Sequence, residues 1–328
     1  MNVNKPMNVN KPIGALDATK VPRFAGRGTF ARIPDVTDVA DYEIALVGVP
    51  FDGGTSYRPG ARFGPMGIRQ ASRNLRPRFH VELNTAPLER VQVVDAGDVP
   101  CTPYDIDEAL QQIEHFARDV HGIGGRRRIV TLGGDHTVAL PMLRAAHEIH
   151  GPIALVHFDA HLDTWDTYFK APTTHGTVFR RAFEEGLLAE EKSMHIGIRG
   201  PIYDDMDLVD DARFGFRVIR AGDLDVIGID GAVDAIRRRV GETPVYVSVD
   251  IDVLDPAFAP GTGTPEMGGL NSRELLHVLR RLDGLNIIGG DVVEVAPAYD
   301  HAEITCLAAA TVAFDLVTLM SKTGVSST

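Results

Sequence analysis

The sequence predicts an α/β fold: a three-layer α/β/α sandwich around a central, mainly parallel eight-stranded sheet. Three observations carry that expectation. From Tyr42 onward, short β-branched runs alternate with amphipathic stretches, the pattern of a chain that alternates strand and helix. Several runs are apolar on both faces, as strands covered on both sides must be. The acidic and histidine motifs fall where these runs end, and open parallel sheets bind their ligands beyond the C-terminal ends of the strands.

Taken in order, residues 1–6 read MNVNKP and residues 7–12 repeat them, a polar segment with no periodicity, expected to be a disordered leader. Residues 13–40, with Pro22, Arg23 and Phe30, read as an extended arm of the kind that wraps a neighbouring subunit, so 1–40 is expected to be leader and arm and 41–328 a single domain. Strands are expected near Ile44, Val91, Arg128, Ile153, Met194, Phe216, Val245 and Asn286. Helices are expected over Asp107–Val120, His136–His150, Gly176–Gly186, Ile229–Val240, Ser272–Leu282 and Ala302–Met320. In the fourth, Ile229, Val233, Ile236 and Val240 fall on one stripe of a 3.6-residue period. Asp107 and Ser272 suit helix N-caps.

Composition sets limits on function. The 328 residues carry a net charge of −12, which disfavours non-specific attraction to nucleic acid or anionic membrane and suits a cationic ligand. Cys101 and Cys306 are the only cysteines, so no disulfide framework or Cys-rich zinc site can be built, and a reducing cytoplasmic setting is expected. Glu303 and Asp315 interrupt the apolar C-terminal stretch, and no membrane span is expected there.

Chemistry concentrates in three segments. Beyond the fourth strand the chain reads His157-Phe158-Asp159-Ala160-His161-Leu162-Asp163. Extended backbone sends alternate side chains to one side, so Asp159, His161 and Asp163 can converge if the chain stays extended. The seventh strand ends Asp250-Ile251-Asp252 with the same spacing, and Leu132-Gly133-Gly134-Asp135-His136 brings His136 into the same crevice. His157 reads as a hydrogen-bonded supporting group rather than a seventh ligand. Singly, each acid could be a turn former or cap. Together, four carboxylates packed this closely need cations, and two divalent ions cancel their charge. The oxygen-rich, nitrogen-supplemented set suits Mn²⁺ or a neighbouring first-row ion. Two such ions about 3.5–4 Å apart can lower the pKa of a shared water.

The segments LGGDHTVALP (132–141), VHFDAHLD (156–163) and SVDIDVLDPAFAPGTGTPEMGG (248–269) resemble the three signatures of the arginase/agmatinase ureohydrolases, with similarity running from about 42 to 320. The resemblance implies the arginase/deacetylase fold and two Mn²⁺ per subunit. One ion would sit among His136, Asp159, Asp163 and Asp250, the other among Asp159, His161, Asp250 and Asp252. It implies that His175 shuttles protons and that Glu294 grips the guanidinium by paired hydrogen bonds, while the metal reading itself lets Asp163 also orient the activated hydroxide. On the residues alone, His175 reads equally as a helix-cap neighbour and Glu294 as a strand-end acid in a structural ion pair. Arg58 and Arg62 are expected to be structural, and Asp300 and Glu303 to cap the last helix. Family members form homotrimers or homohexamers, and the same is expected here.

The expected reaction is agmatine plus water to putrescine plus urea, as in polyamine biosynthesis, with Asp166, Trp165 and Tyr168 as candidates for the ammonium tail. Guanidinobutyrate would instead call for Lys170 or Arg199 at the mouth. Amide deacetylation, the chemistry of other enzymes with this fold, would go with a single metal and no paired Asp-Ile-Asp carboxylates.

Overall fold

The computed structural model describes residues 11–323, and the leader expected over 1–12 lies largely outside them. Eight strands form one sheet: β1 (Ile44–Gly48), β2 (Val93–Asp98), β3 (Arg128–Leu132), β4 (Ala154–Phe158), β5 (Ser193–Ile198), β6 (Phe216–Arg220), β7 (Val245–Asp250) and β8 (Ile287–Val293). Their order is β2-β1-β3-β8-β7-β4-β5-β6, and every pairing is parallel. All eight expected strands are present.

Successive residues of these strands feed opposite layers, as a period of two requires. Leu46, Val130 and Val156 belong to one buried cluster, while Ala45, Ile129 and Leu155 belong to the other. Helices α1 (Gly64–Ser72), α2 (Pro87–Arg90), α7 (Ala221–Val240), α8 (Ser272–Arg280) and α9 (Ile304–Lys322) supply the first layer. Helices α3 (Ile106–His121), α4 (Ala139–His150) and α5 (Val178–Glu184) supply the second. A further helix, α6 (Met206–Arg213), lies beside β6.

The caps fall one or two residues earlier than the sequence suggests. Asp105, not Asp107, accepts from the Glu108 amide to start α3, and Asn271, not Ser272, exchanges bonds with Glu274 to start α8. Helix α7 begins at Ala221 and bends at Gly228, whose φ of 67° no helix interior uses. Helix α9 is long and apolar enough to cross a membrane, contrary to the expectation for this stretch, yet it is mostly buried in the core. Its Asp315 is held by His80 (2.8 Å) and Arg280 (2.7 Å). The arm packs on its own chain: Phe30 and Ile33 join the core, and the Phe30 amide donates to Asp95 (2.7 Å).

Candidate metal centre and active site

Strands β3, β8, β7 and β4 are neighbours in the sheet, so the segments leaving their C-terminal ends share one crevice. From β3 the chain turns through Gly133 and Gly134. A Cβ on Gly134 would lie 1.7 Å from the Phe51 carbonyl oxygen, so only glycine allows the turn that delivers His136. From β4 come Asp159, His161 and Asp163, although the backbone does not stay extended: Asp163 adopts a left-handed φ of 55°. That turn brings its carboxylate 2.9 Å from His136 Nδ1. Asp250 closes β7 and accepts from the Asp252 amide (2.8 Å).

The six residues meet. His136 Nδ1 lies 3.3 Å from Asp159, 2.9 Å from Asp163 and 3.4 Å from Asp250, while His161 Nδ1 lies 3.3 Å from Asp159 and 3.2 Å from Asp252. Five of them are buried, and His161 is partly exposed at the cavity. Burial and the neighbouring Asp252 and Asp159 charges push Asp250 well above the ordinary carboxylate range. Burial and Asp159 push Asp252 up to about 6. On His136, burial favours the neutral ring, yet the close Asp159, Asp163 and Asp250 carboxylates raise its proton affinity. The cluster therefore calls for positive charge.

One atom shows what kind. Ser248 Oγ donates to Asp291 (2.7 Å), so its contact with His136 Nε2 (2.8 Å) requires Nε2 to carry the hydrogen. In the neutral ring, Nδ1 is then a bare lone pair, buried, without a hydrogen-bond partner and surrounded by carboxylate oxygens. A metal ion satisfies that arrangement, and the oxygen-rich donor set with imidazole nitrogen fits one.

Glu294, with a left-handed φ of 61°, is buried beside His136 and His175 and is not among the residues lining the cavity over the cluster. Its Oε1 accepts from the His136 amide (2.9 Å) and from His175 Nδ1 (3.0 Å), while its buried Oε2 has no partner. Only one oxygen is thus left free, so a symmetrical two-oxygen grip on a ligand would have to compete with bonds already made. Burial opposes a charge on His175, but the bond to Glu294 and the Asp163 and Asp135 charges lift it to about 9, not the near-neutral value its type suggests. The other nitrogen of His175 meets Ser56 Oγ at 2.7 Å.

A cavity of about 420 Å³ opens over the cluster, with His161, Asp163, His175 and Asp250 on its floor. Trp165, Tyr168 and Tyr203 form an aromatic wall; the first two stack at 5.8 Å, and a Cβ on Gly176 would strike Trp165. Asp166 does not line the cavity; it is exposed and pairs with Arg181 (2.8 Å). Lys170 does not line it either. Arg199 does, but its guanidinium donates to backbone carbonyls, among them Asp252 (2.6 Å) and Glu266 (2.8 Å). Arg58 lines the cavity over the rings of Tyr57 and Tyr299, while Arg62 pairs with Asp52. Asp300 accepts from the Thr305 and Cys306 amides (both 3.0 Å), capping α9; Glu303 makes no side-chain cap bond.

Sequence reasoning missed Ser56, Ser248, Asp291 and Glu266. Ser248 had a signal, since it continues the alternation of Asp250 and Asp252, and Asp291 is the one acid inside an otherwise apolar strand.

An all-parallel eight-stranded sheet with a histidine–aspartate cluster beyond its central strands is the architecture of a metal-dependent hydrolase. Residues 42–318 match the Arginase family, and the chain belongs to it: a family of binuclear metal enzymes whose members act on guanidino compounds. It is 47% identical to a guanidinopropionase of Pseudomonas aeruginosa, covering 95% of this chain and 97% of that one. It is 46% identical to a putative agmatinase (agmatinase 3) of Schizosaccharomyces pombe, over 92% of this chain and 81% of that one. The solved structure of proclavaminate amidino hydrolase from Streptomyces clavuligerus superposes with a TM-score of 0.87 at 41% identity, covering 93% of this chain and 100% of that one.

Proposed function

We propose that the chain hydrolyses agmatine to putrescine and urea with two manganese ions, one held by His136, Asp159, Asp163 and Asp250 and the other by Asp159, His161, Asp250 and Asp252. The observation that carries the metal reading is the buried, partnerless His136 Nδ1 among three carboxylates. When bound, such ions supply Lewis acidity, polarising water and drawing charge from the carbon under attack.

The protein's own groups do the rest. The free Oε2 of Glu294 accepts a guanidinium N–H and aims the guanidino carbon at the cluster. Asp163, held against His136, orients the attacking water. As the bond between that carbon and the alkyl nitrogen breaks, the leaving amine needs a proton. His175 lines the cavity, its proton affinity is raised by the bond to Glu294, and its Nε2 meets Ser56 Oγ (2.7 Å) and accepts from the Ser56 amide (3.2 Å), so this nitrogen is placed to pass a proton to the leaving amine. The ammonium tail of agmatine is met by the faces of Trp165, Tyr168 and Tyr203 and by Glu266, which lines the cavity and makes no ion pair among the described residues.

A second reading, a guanidino acid such as 3-guanidinopropionate or 4-guanidinobutyrate, is favoured by Arg58, which lines the same cavity and also lacks an ion pair among the described residues. Urea release from agmatine, both guanidino acids and arginine by the Mn²⁺-loaded protein separates them. Agmatine giving the highest kcat/KM supports the first reading, a guanidino acid doing so replaces it with the second, and no urea from any removes both.

A further inference from the structure

We propose that His195 and Asp211 are positioning residues: through His157 they fix the Asp159 carboxylate in the orientation that metal binding needs. The inference rests on the metal reading above and concerns three side chains outside the ligand set. Asp211, on α6, meets His195 Nε2 at 3.1 Å; His195 Nδ1 meets His157 Nδ1 at 2.6 Å; and His157 Nε2 meets Asp159 Oδ2 at 2.8 Å. All four residues have no solvent exposure, so no water can repair a missing bond.

The protons in this chain can be counted. Asp211 Oδ1 faces both His195 Nε2 and the Thr164 hydroxyl (3.0 Å), and as a carboxylate it accepts from both. His195 Nε2 therefore carries a hydrogen. Two nitrogens 2.6 Å apart must share one proton between them, because two lone pairs or two hydrogens there would repel. The third contact, against Asp159, takes its hydrogen from His157 Nε2. The hydrogen that His157 Nε2 presents to Asp159 is thus tied to the contact its Nδ1 makes with His195. If His195 no longer engages His157 Nδ1, that nitrogen is buried and unpaired, and the ring can move its hydrogen there. Nε2 would then present a lone pair to Asp159, and the carboxylate would turn away. A direct partner of a ligand typically changes metal affinity about 10–100-fold when lost, and His195 and Asp211 act by holding that partner, His157, in place.

The test uses the full chain with Mn²⁺ as the probe. Asp211→Ala and His195→Phe should weaken Mn²⁺ binding by calorimetry about 10–100-fold. In the metal-free protein they should change the ¹⁵N imidazole signals that report the His157 tautomer. Asp211→Asn should stay within about threefold of wild type, since the amide oxygen in the Oδ1 position still accepts from both His195 and Thr164. Wild-type Mn²⁺ affinity with unchanged ring signals in Asp211→Ala overturns the proposal, and so does an Asp211→Asn protein as weak as Asp211→Ala. Should His195→Phe not fold, the two Asp211 variants decide. A wild-type protein that binds no Mn²⁺ sinks the metal reading instead, while the ring signals still report on the relay.

Discussion

Replacing Glu294 by glutamine changes one atom and one charge, and the structure dictates which atom goes where. Oε1 faces two N–H donors, the His136 amide and His175 Nδ1, so the glutamine oxygen must take that position to keep both bonds. The amide nitrogen is then forced into the place of Oε2, which has no hydrogen-bond partner among the described residues. A guanidinium that met a carboxylate oxygen now meets an N–H group, donor against donor. The loss is one charge-assisted hydrogen bond, worth about 3 kcal/mol at the upper end of such bonds, or roughly 150-fold in kcat/KM. Glu294 is outside the proposed ligand set, so bound metal should not change. Urea-release kinetics measured beside metal content decide the matter. If kcat/KM stays within about threefold of wild type at full metal content, Glu294 is a structural acid and the substrate is held elsewhere.

Other consequences can be read from the same contacts. Exhaustive chelation should abolish urea release and added Mn²⁺ restore it, and Asp250→Asn should retain less metal and lose turnover; full activity of metal-free protein would refute the metal reading. Gly134→Ala places a methyl 1.7 Å from the Phe51 carbonyl, an overpacking that should cost about 3 kcal/mol of stability by denaturant unfolding. His121 is buried and its Nδ1–H donates to the Arg127 carbonyl (2.7 Å); burial lowers its pKa below the unfolded value near 6.5. The unfolded chain therefore binds more protons as the pH falls below that value, and this residue's contribution, present above it, is lost. Wild type should lose part of its stability advantage over His121→Gln between pH 7.5 and 5.5, and a constant gap would contradict the assignment.

What the sequence makes legible follows from how local the cause is. The strands can be read because burial on both faces leaves an apolar run no solvent-exposed segment would carry, and the metal cluster because Asp159, His161 and Asp163, like Asp250 and Asp252, repeat within one segment. Helix α1 was not expected, since Gly64, Pro65 and Gly67 look like a turn. Those glycines answer to distant residues: a Cβ at Gly64 would come within 2.6 Å of the Val295 carbonyl, and at Gly67 within 2.9 Å of Cys306 Sγ. The same distinction separates chemistry from specificity. Asp166 sits three residues past Asp163 and has the right charge for an ammonium, but Arg181, one turn into α5, claims it. Glu266 and Arg58 reach the cavity from segments more than 200 residues apart, with no shared pattern to announce them. A reaction built from alternating residues on a few strand ends survives in the sequence as a motif. Substrate choice depends on which side chains remain unpaired after the segments have folded together, and pairing is a property of the assembled structure.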